Sequence, residues 1–172
     1  AFMFKMPPRY VEHLKNAGFD FLSLANNHIY DFFSAPITYT EKALADAQIG
    51  FAGAKDPAKK RNQHTFTTYK EIEGVTYGFA AFGTEHYNAS LLDYASVKSI
   101  VKEMREKADV VIVYFHGGAE GSEARHLPTG VEYFHSCNRG DLRTFTHLCI
   151  DAGADVVFGS GPHVVRAIEL YK

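Results

Sequence analysis

Apolar positions along this chain switch between helical spacing and short continuous runs, and the switching predicts a succession of elements. In residues 7–16 two prolines stand at a helix start, Tyr10, Val11, Leu14 and Ala17 fall on one face, and Gly18 supplies the stop. Residues 19–25 (FDFLSLA) fit a buried strand, and residues 37–47 return to helical spacing through Thr40, Ala43, Leu44 and Ala47. Residues 49–53 predict a second short strand. The polar stretch AKDPAKKRNQ that follows reads as a solvated loop. Residues 65–72 and 75–82 alternate apolar and polar positions around Glu73-Gly74, the signature of an antiparallel hairpin. Val97, Ile100, Val101 and Met104 form a helical stripe, residues 110–115 (VVIVYF) a strand buried on both faces, and residues 142–152 another helix. Residues 155–159 (DVVFG) predict the next buried strand.

One phrase recurs: a helix ends at Ala-Gly or Lys-Ala and a strand opens with Asp, in AGFDFLSL, KADVVIVYF and AGADVVFG. Three copies of one αβ unit beside an antiparallel hairpin imply an α/β fold with mixed sheets covered by helices, and right-handed parallel crossovers. In such folds ligands gather beyond the carboxyl ends of the strands.

Composition narrows the class. A chain of 172 residues that is 46% hydrophobic and 14% aromatic suits one ordered domain with one core. A net charge of −2 argues against non-specific nucleic-acid binding, which needs a basic face. Cys137 and Cys149 give neither a disulfide framework nor a zinc-finger spacing. No run reaches the ~18 apolar residues that span a bilayer, and residues 1–8 carry no export signal.

The chemistry concentrates in three histidines, one after each strand of the recurring phrase: Asn26-Asn27-His28, His116-Gly117-Gly118, and Gly159-Ser160-Gly161-Pro162-His163. Imidazole together with amide or carboxylate oxygen suits divalent ions such as Zn, Mn or Fe(II). The glycines allow backbone to approach a bound anion, or make tight turns. Asp31, three residues beyond His28, is placed to orient its ring. Glu120 lies in the GGAEGSE loop and can be read as a ligand, a base or a solvated charge. Asp141, within Arg139-Gly140-Asp141, stands where the next helix needs an N-cap, which outweighs the adhesion tripeptide. Cys149 lies on that helix's apolar face near Phe145 and Leu148, a core position. Gly159-Ser160-Gly161 lacks the outer glycines of a nucleophile elbow.

LANNHIYD, VVIVYFHGGAEGS and DAGADVVFGSGPHVVRAIELY together resemble the CapA family of capsule and poly-γ-glutamate biosynthesis proteins, within the calcineurin-like metallophosphoesterase superfamily. The resemblance runs over nearly the whole chain with the motifs in order. It implies a metallophosphoesterase-like αββα sandwich, with residues 1–172 as the middle portion of a single domain cut at both ends. It also implies metal ligation by Asn27, His116 and His163, with His28 donating a proton to the leaving group. The expected substrate is a phosphoester or an anionic polymer, and the expected location is the cell envelope or beyond it. Two departures bear on the metal. Residues 1–8 hold no acidic residue where a bridging aspartate would precede, and Ser160 and Gly161 occupy the stretch where a further histidine is usual, so metal binding by this chain alone is expected to be weak or incomplete.

Overall fold

The recurring Asp at the start of a strand has a structural cause. In the computed structural model, which describes residues 2–33, 35–57, 59–60 and 63–172, Asp109 donates its backbone N–H to Thr76 O (2.8 Å) and accepts the Thr76 N–H on its carboxylate (2.8 Å). Asp155 repeats the bracket with Val111 (2.9 and 2.7 Å). Asp20 accepts Gly50 N–H on its carbonyl (2.9 Å) and pairs with Lys70 through its side chain. Each aspartate therefore fastens the amino end of its own strand to a neighbouring strand.

The elements follow in the order α1 (Val11–Asn16, entered through a 3₁₀ turn at Pro8–Tyr10), β1 (Phe21–Ser23), α2 (Ala35–Asp46), β2 (Gly50–Ala52), β3 (Thr67–Ile72) and β4 (Val75–Gly83). They continue with α3 (Tyr94–Arg105), β5 (Val110–His116), β6 (Glu132–Phe134), β7 (Cys137–Gly140), α4 (Leu142–Ala152) and β8 (Val156–Ser160). β1 and β2 pair in parallel. A second sheet runs β3-β4-β5-β8, antiparallel between β3 and β4 and parallel beyond. Glu73 (φ 52°) and Gly74 (φ 78°) both turn left-handed, the geometry that matches hairpin twist.

Packing gives four layers. α1 and α2 bury Val11, Ile37 and Leu44 against Leu24 and Ile49 on the β1–β2 side. α3 and α4 bury Val97, Val101, Met104, Phe145 and Cys149 against Ala80, Phe82, Val111 and Val113 of the larger sheet. Between the sheets, Ala25, Ala52 and Ala81 are fully buried beside Phe21 and Tyr114, and Phe21 stacks on Phe79 at 4.6 Å. This is an αββα sandwich. Asp93 and Asp141 cap α3 and α4 by accepting the N–H groups of Ser96 (3.1 Å) and Thr144 (3.0 Å).

Two expectations need correction, and one element is new. Residues 155–159 do not form a buried strand: β8 has only β5 as a partner among the described residues, and Val156 and Phe158 are about half exposed. Its apolar run reflects one covered face, not two. The loop at 54–63 is not simply solvated, because Asp56 is fully buried and accepts from Thr38 (2.6 Å), while Lys59 pairs with the buried Glu41; Ala58, Arg61 and Asn62 lie outside the described residues. The β6–β7 hairpin was not foreseen, since EYF and CNRG are too short to show a period. Among the described residues no helix is long and apolar enough to cross a membrane.

Candidate functional site

Strand alternation decides what β5 offers. Val111, Val113 and Phe115 face the α3–α4 layer, so Tyr114 and His116 face the space between the sheets. His116 closes the strand with Gly83 of β4 in register on one side and Ser160 of β8 on the other. Its Nδ1 lies 3.0 Å from Ser160 Oγ, and Ser160 Oγ also hydrogen-bonds Tyr114 Oη. The Nε2 of His116 is buried with no hydrogen-bond partner. Burial first, then the charge of Arg139 and the nearby His163 and His28, push the His116 pKa down to about 4. The ring is therefore neutral at physiological pH.

His28 comes from the turn after β1. Asn26 Oδ1 accepts the His28 N–H (2.8 Å), an Asx turn that fixes the backbone, while Asp31 takes the ring Nδ1 at 3.0 Å. Phe4 meets the ring edge-on at 4.6 Å, and its N–H donates to Asp31 (2.8 Å). The carbonyl of Asn27 accepts the Tyr87 hydroxyl (3.1 Å), and Tyr30 stacks on Tyr87 at 5.0 Å, so the loop is braced from the segment after β4. Burial, with Glu85 and Asp31 nearby, pushes the Tyr87 phenol up to about 12, which keeps it a neutral donor.

His163 follows β8 in a left-handed conformation (φ 57°), with its ring largely exposed and Nδ1 3.4 Å from Glu120 Oε2. Glu120 is not a solvated charge: it is mostly buried between His163 and Arg139, whose Nη2 lies 3.4 Å away. Arg139, itself buried, donates Nε to Gly118 O (3.0 Å) and sits 3.9 Å from Glu85. Below this loop, Arg166 makes a two-pronged pair with Glu132 (2.9 and 2.7 Å), and Glu132 also accepts the Ala119 N–H (3.0 Å).

The glycines answer to packing against the protein's own backbone. A Cβ on Gly161 (φ +127°) would lie 2.4 Å from Gly117 O, and one on Gly117 would lie 2.8 Å from Arg139 O. The His116 and His163 loops thus touch main chain to main chain, and these positions do not form an open cradle for an anion.

The structure brings His28, His116 and His163 to one end of the sheets, close enough for His116 to feel the other two. Among the described residues, however, no group of three or more His, Cys, Asp or Glu side chains is placed to hold a metal ion. His116 Nε2 fits a ligand's role, being neutral, buried and unpaired. Sequence reasoning overlooked Arg139, Glu85 and Tyr87. Arg139 was legible only as part of a tripeptide, and the loop contact that joins it to Glu120 has no sequence period.

At this fold's level of likeness stand two solved structures. One is a candidate 5′-nucleotidase from Staphylococcus aureus, with a TM-score of 0.56 at 16% identity, covering 88% of this chain and 30% of that one. The other is a hypothetical protein from Thermus thermophilus, with a TM-score of 0.55 at 21% identity, covering 92% and 51%. The fold is metallophosphoesterase-like. The bacterial capsule synthesis protein family PGA_cap matches residues 1–172, and the chain belongs to that family. The capsule biosynthesis protein CapA of Bacillus anthracis is 28% identical over 173 residues, covering 94% of this chain and 39% of that protein. The PGA biosynthesis protein CapA of Bacillus subtilis (strain 168) is 28% identical over 175 residues, covering 94% and 41%. The chain thus spans about 40% of the length of these curated relatives.

Proposed function

We propose that this chain contributes a hydrolytic centre of the phosphoesterase type to a capsule or poly-γ-glutamate biosynthesis protein acting at the cell envelope on an anionic substrate. The observation that carries the reading is His116, whose Nε2 is a buried, unpaired nitrogen on a neutral ring at the carboxyl end of the sheet. Asn27, His116 and His163 are the residues that would hold a divalent ion such as Mn, Zn or Fe, with further donors needed to complete the set. A bound ion would supply Lewis-acid polarisation of the scissile centre and an activated water. His28, held through Nδ1 by Asp31, keeps its other ring nitrogen available to protonate a leaving oxygen. Glu120, shared by Arg139 and His163, orients the His163 ring.

A second reading, in which the protein binds or guides an anionic polymer without hydrolysing it, is favoured by Ser160. Its hydroxyl is engaged with Tyr114 and His116, and it lies with Gly161 in the stretch where the family resemblance leads one to look for another histidine. Metal analysis of the full-length protein, paired with hydrolysis of a generic phosphodiester, separates the two. The hydrolase reading expects bound divalent metal that His116→Ala removes. It also expects His28→Asn to retain metal while lowering turnover by roughly 10²- to 10⁴-fold. Metal-free protein that binds poly-γ-glutamate equally well with and without His116→Ala would replace it with the binding reading.

A further inference from the structure

Ser160 stands directly across from His116 in the parallel register of β5 and β8, and Tyr114 projects on the same face of β5 two residues before the histidine. The three side chains form one hydrogen-bonded row, Tyr114 Oη to Ser160 Oγ to His116 Nδ1, the last step at 3.0 Å. A hydroxyl can donate or accept, so contact alone allows two proton arrangements. In one, Ser160 donates to Nδ1 and Nε2 carries the hydrogen. In the other, Nδ1–H donates to Ser160 and Nε2 is left as a lone pair.

The other end of the ring decides between them. Nε2 is buried with nothing to accept a hydrogen bond. A buried N–H without an acceptor is rare in folded proteins, and an under-satisfied acceptor somewhat less so. The second arrangement is therefore the stable one, and it runs as a chain: Nδ1–H to Ser160 Oγ, Ser160 O–H to Tyr114 Oη, and Tyr114 O–H outward.

We propose that Ser160, backed by Tyr114, is a positioning residue that fixes His116 as the Nδ1–H tautomer and so presents Nε2 as a bare lone pair to the site. The histidine side chain free in water prefers the opposite, Nε2–H tautomer, so this preference has to be imposed by the protein. The use made of that lone pair rests on the hydrolytic reading above; the tautomer itself does not.

The test is long-range ¹H–¹⁵N correlation of the histidine rings in ¹⁵N-labelled protein, at neutral pH and with EDTA present, assigning His116 by its loss in His116→Gln. The expected wild-type result is a pyridine-like Nε2 and a pyrrole-like Nδ1. Ser160→Ala should move both resonances by tens of ppm towards the opposite tautomer, Ser160→Thr should restore the wild-type pattern, and Tyr114→Phe should give an intermediate mixture. A protonated Nε2 in the wild type, or no change in Ser160→Ala, overturns the proposal. If Ser160→Ala does not fold, the wild-type tautomer and Tyr114→Phe still decide. Zn titration then separates this proposal from the hydrolytic reading. If the tautomer pattern holds and wild type binds Zn, Ser160→Ala should weaken binding roughly 10- to 100-fold. If the pattern holds but no metal binds, the tautomer assignment stands and the hydrolytic reading falls.

Discussion

Removing Arg166 should loosen the whole His163 side of the site, and the cost can be worked out from the pair it makes with Glu132. Glu132 is buried on β6 and cannot leave, so Arg166→Ala strands a carboxylate in low dielectric with only the Ala119 N–H still bonded to it. Breaking a buried pair from one side costs roughly 3–5 kcal/mol, and the surviving hydrogen bond puts the expected loss near the lower figure, about 3 kcal/mol. Glu132→Ala is not symmetrical with it. Arg166 keeps its hydrogen bond to the Ala119 carbonyl (3.2 Å), and it lies in a segment whose neighbours Val165 and Ile168 are almost fully exposed, so its charge is left neither unbonded nor far from water. About 1.5–2 kcal/mol is expected there, the low end of what a lost hydrogen bond to a charged group costs. The double variant Glu132→Leu with Arg166→Met should lose less than Arg166→Ala alone, since an apolar pair of similar volume removes both desolvation penalties and leaves only the Ala119 backbone groups to find other partners. Urea melts read through the midpoint at unchanged slope provide the assay. A loss below about 1 kcal/mol for Arg166→Ala would reduce the pair to a surface bridge and refute the argument; so would a larger loss for Glu132→Ala.

Two further outcomes follow from the buried titrating groups. The folded-state pKa of His116, about 4, lies below its ordinary value of 6.5, so the unfolded chain takes up a proton before the folded one does. The stability this gives is complete above 6.5 and lost as pH falls through the window down to 4, by roughly 3 kcal/mol in all; His116→Gln in EDTA should flatten that part of the pH–stability curve, and an unchanged slope would count against it. Cys137 is exposed, whereas burial pushes the Cys149 thiol up to about 12, so a disulfide reagent at neutral pH should titrate one thiol natively and two in denaturant; fast native labelling of both would contradict the packing of α4.

Legibility in the sequence tracked the length of the period. α3 and α4 bury long stripes, so their faces could be read residue by residue, and α4 runs over the expected Leu142–Ala152. The hairpin at Glu73-Gly74 was legible from the alternation on either side and from Gly74, which takes the left-handed conformation glycine favours, although Glu73 takes it too against its type. β8 was misread because a run of valine and phenylalanine reports apolarity without saying how many faces are covered. The three histidines could be grouped since each follows the same αβ phrase, and topology then carries them to one edge. What holds them was mostly hidden: Arg139 reaches Glu120 from a distant part of the chain, a contact made by loop closure that leaves no local pattern. Ser160 and Gly161 were visible together as a departure from the family, but the partnership of Ser160 with Tyr114 needed the register of β5 against β8.

The aspartate brackets on Thr76 and Val111 sit at the amino ends of β5 and β8, whereas His116, Ser160 and His163 occupy the opposite ends. Alignment is thus anchored on the rim remote from the chemistry. An insertion or graft in the loop from Ser122 to Gly130, beyond the residues that bond Arg139, Glu132 and His163, should leave strand pairing in place, because nothing it disturbs sets the register. A cut between α4 and β8, or between α3 and β5, would fall beside the aspartate that does. Loop exchange at the histidine rim is therefore the permissive way to re-engineer this domain, and circular permutation through the aspartate rim the punishing one.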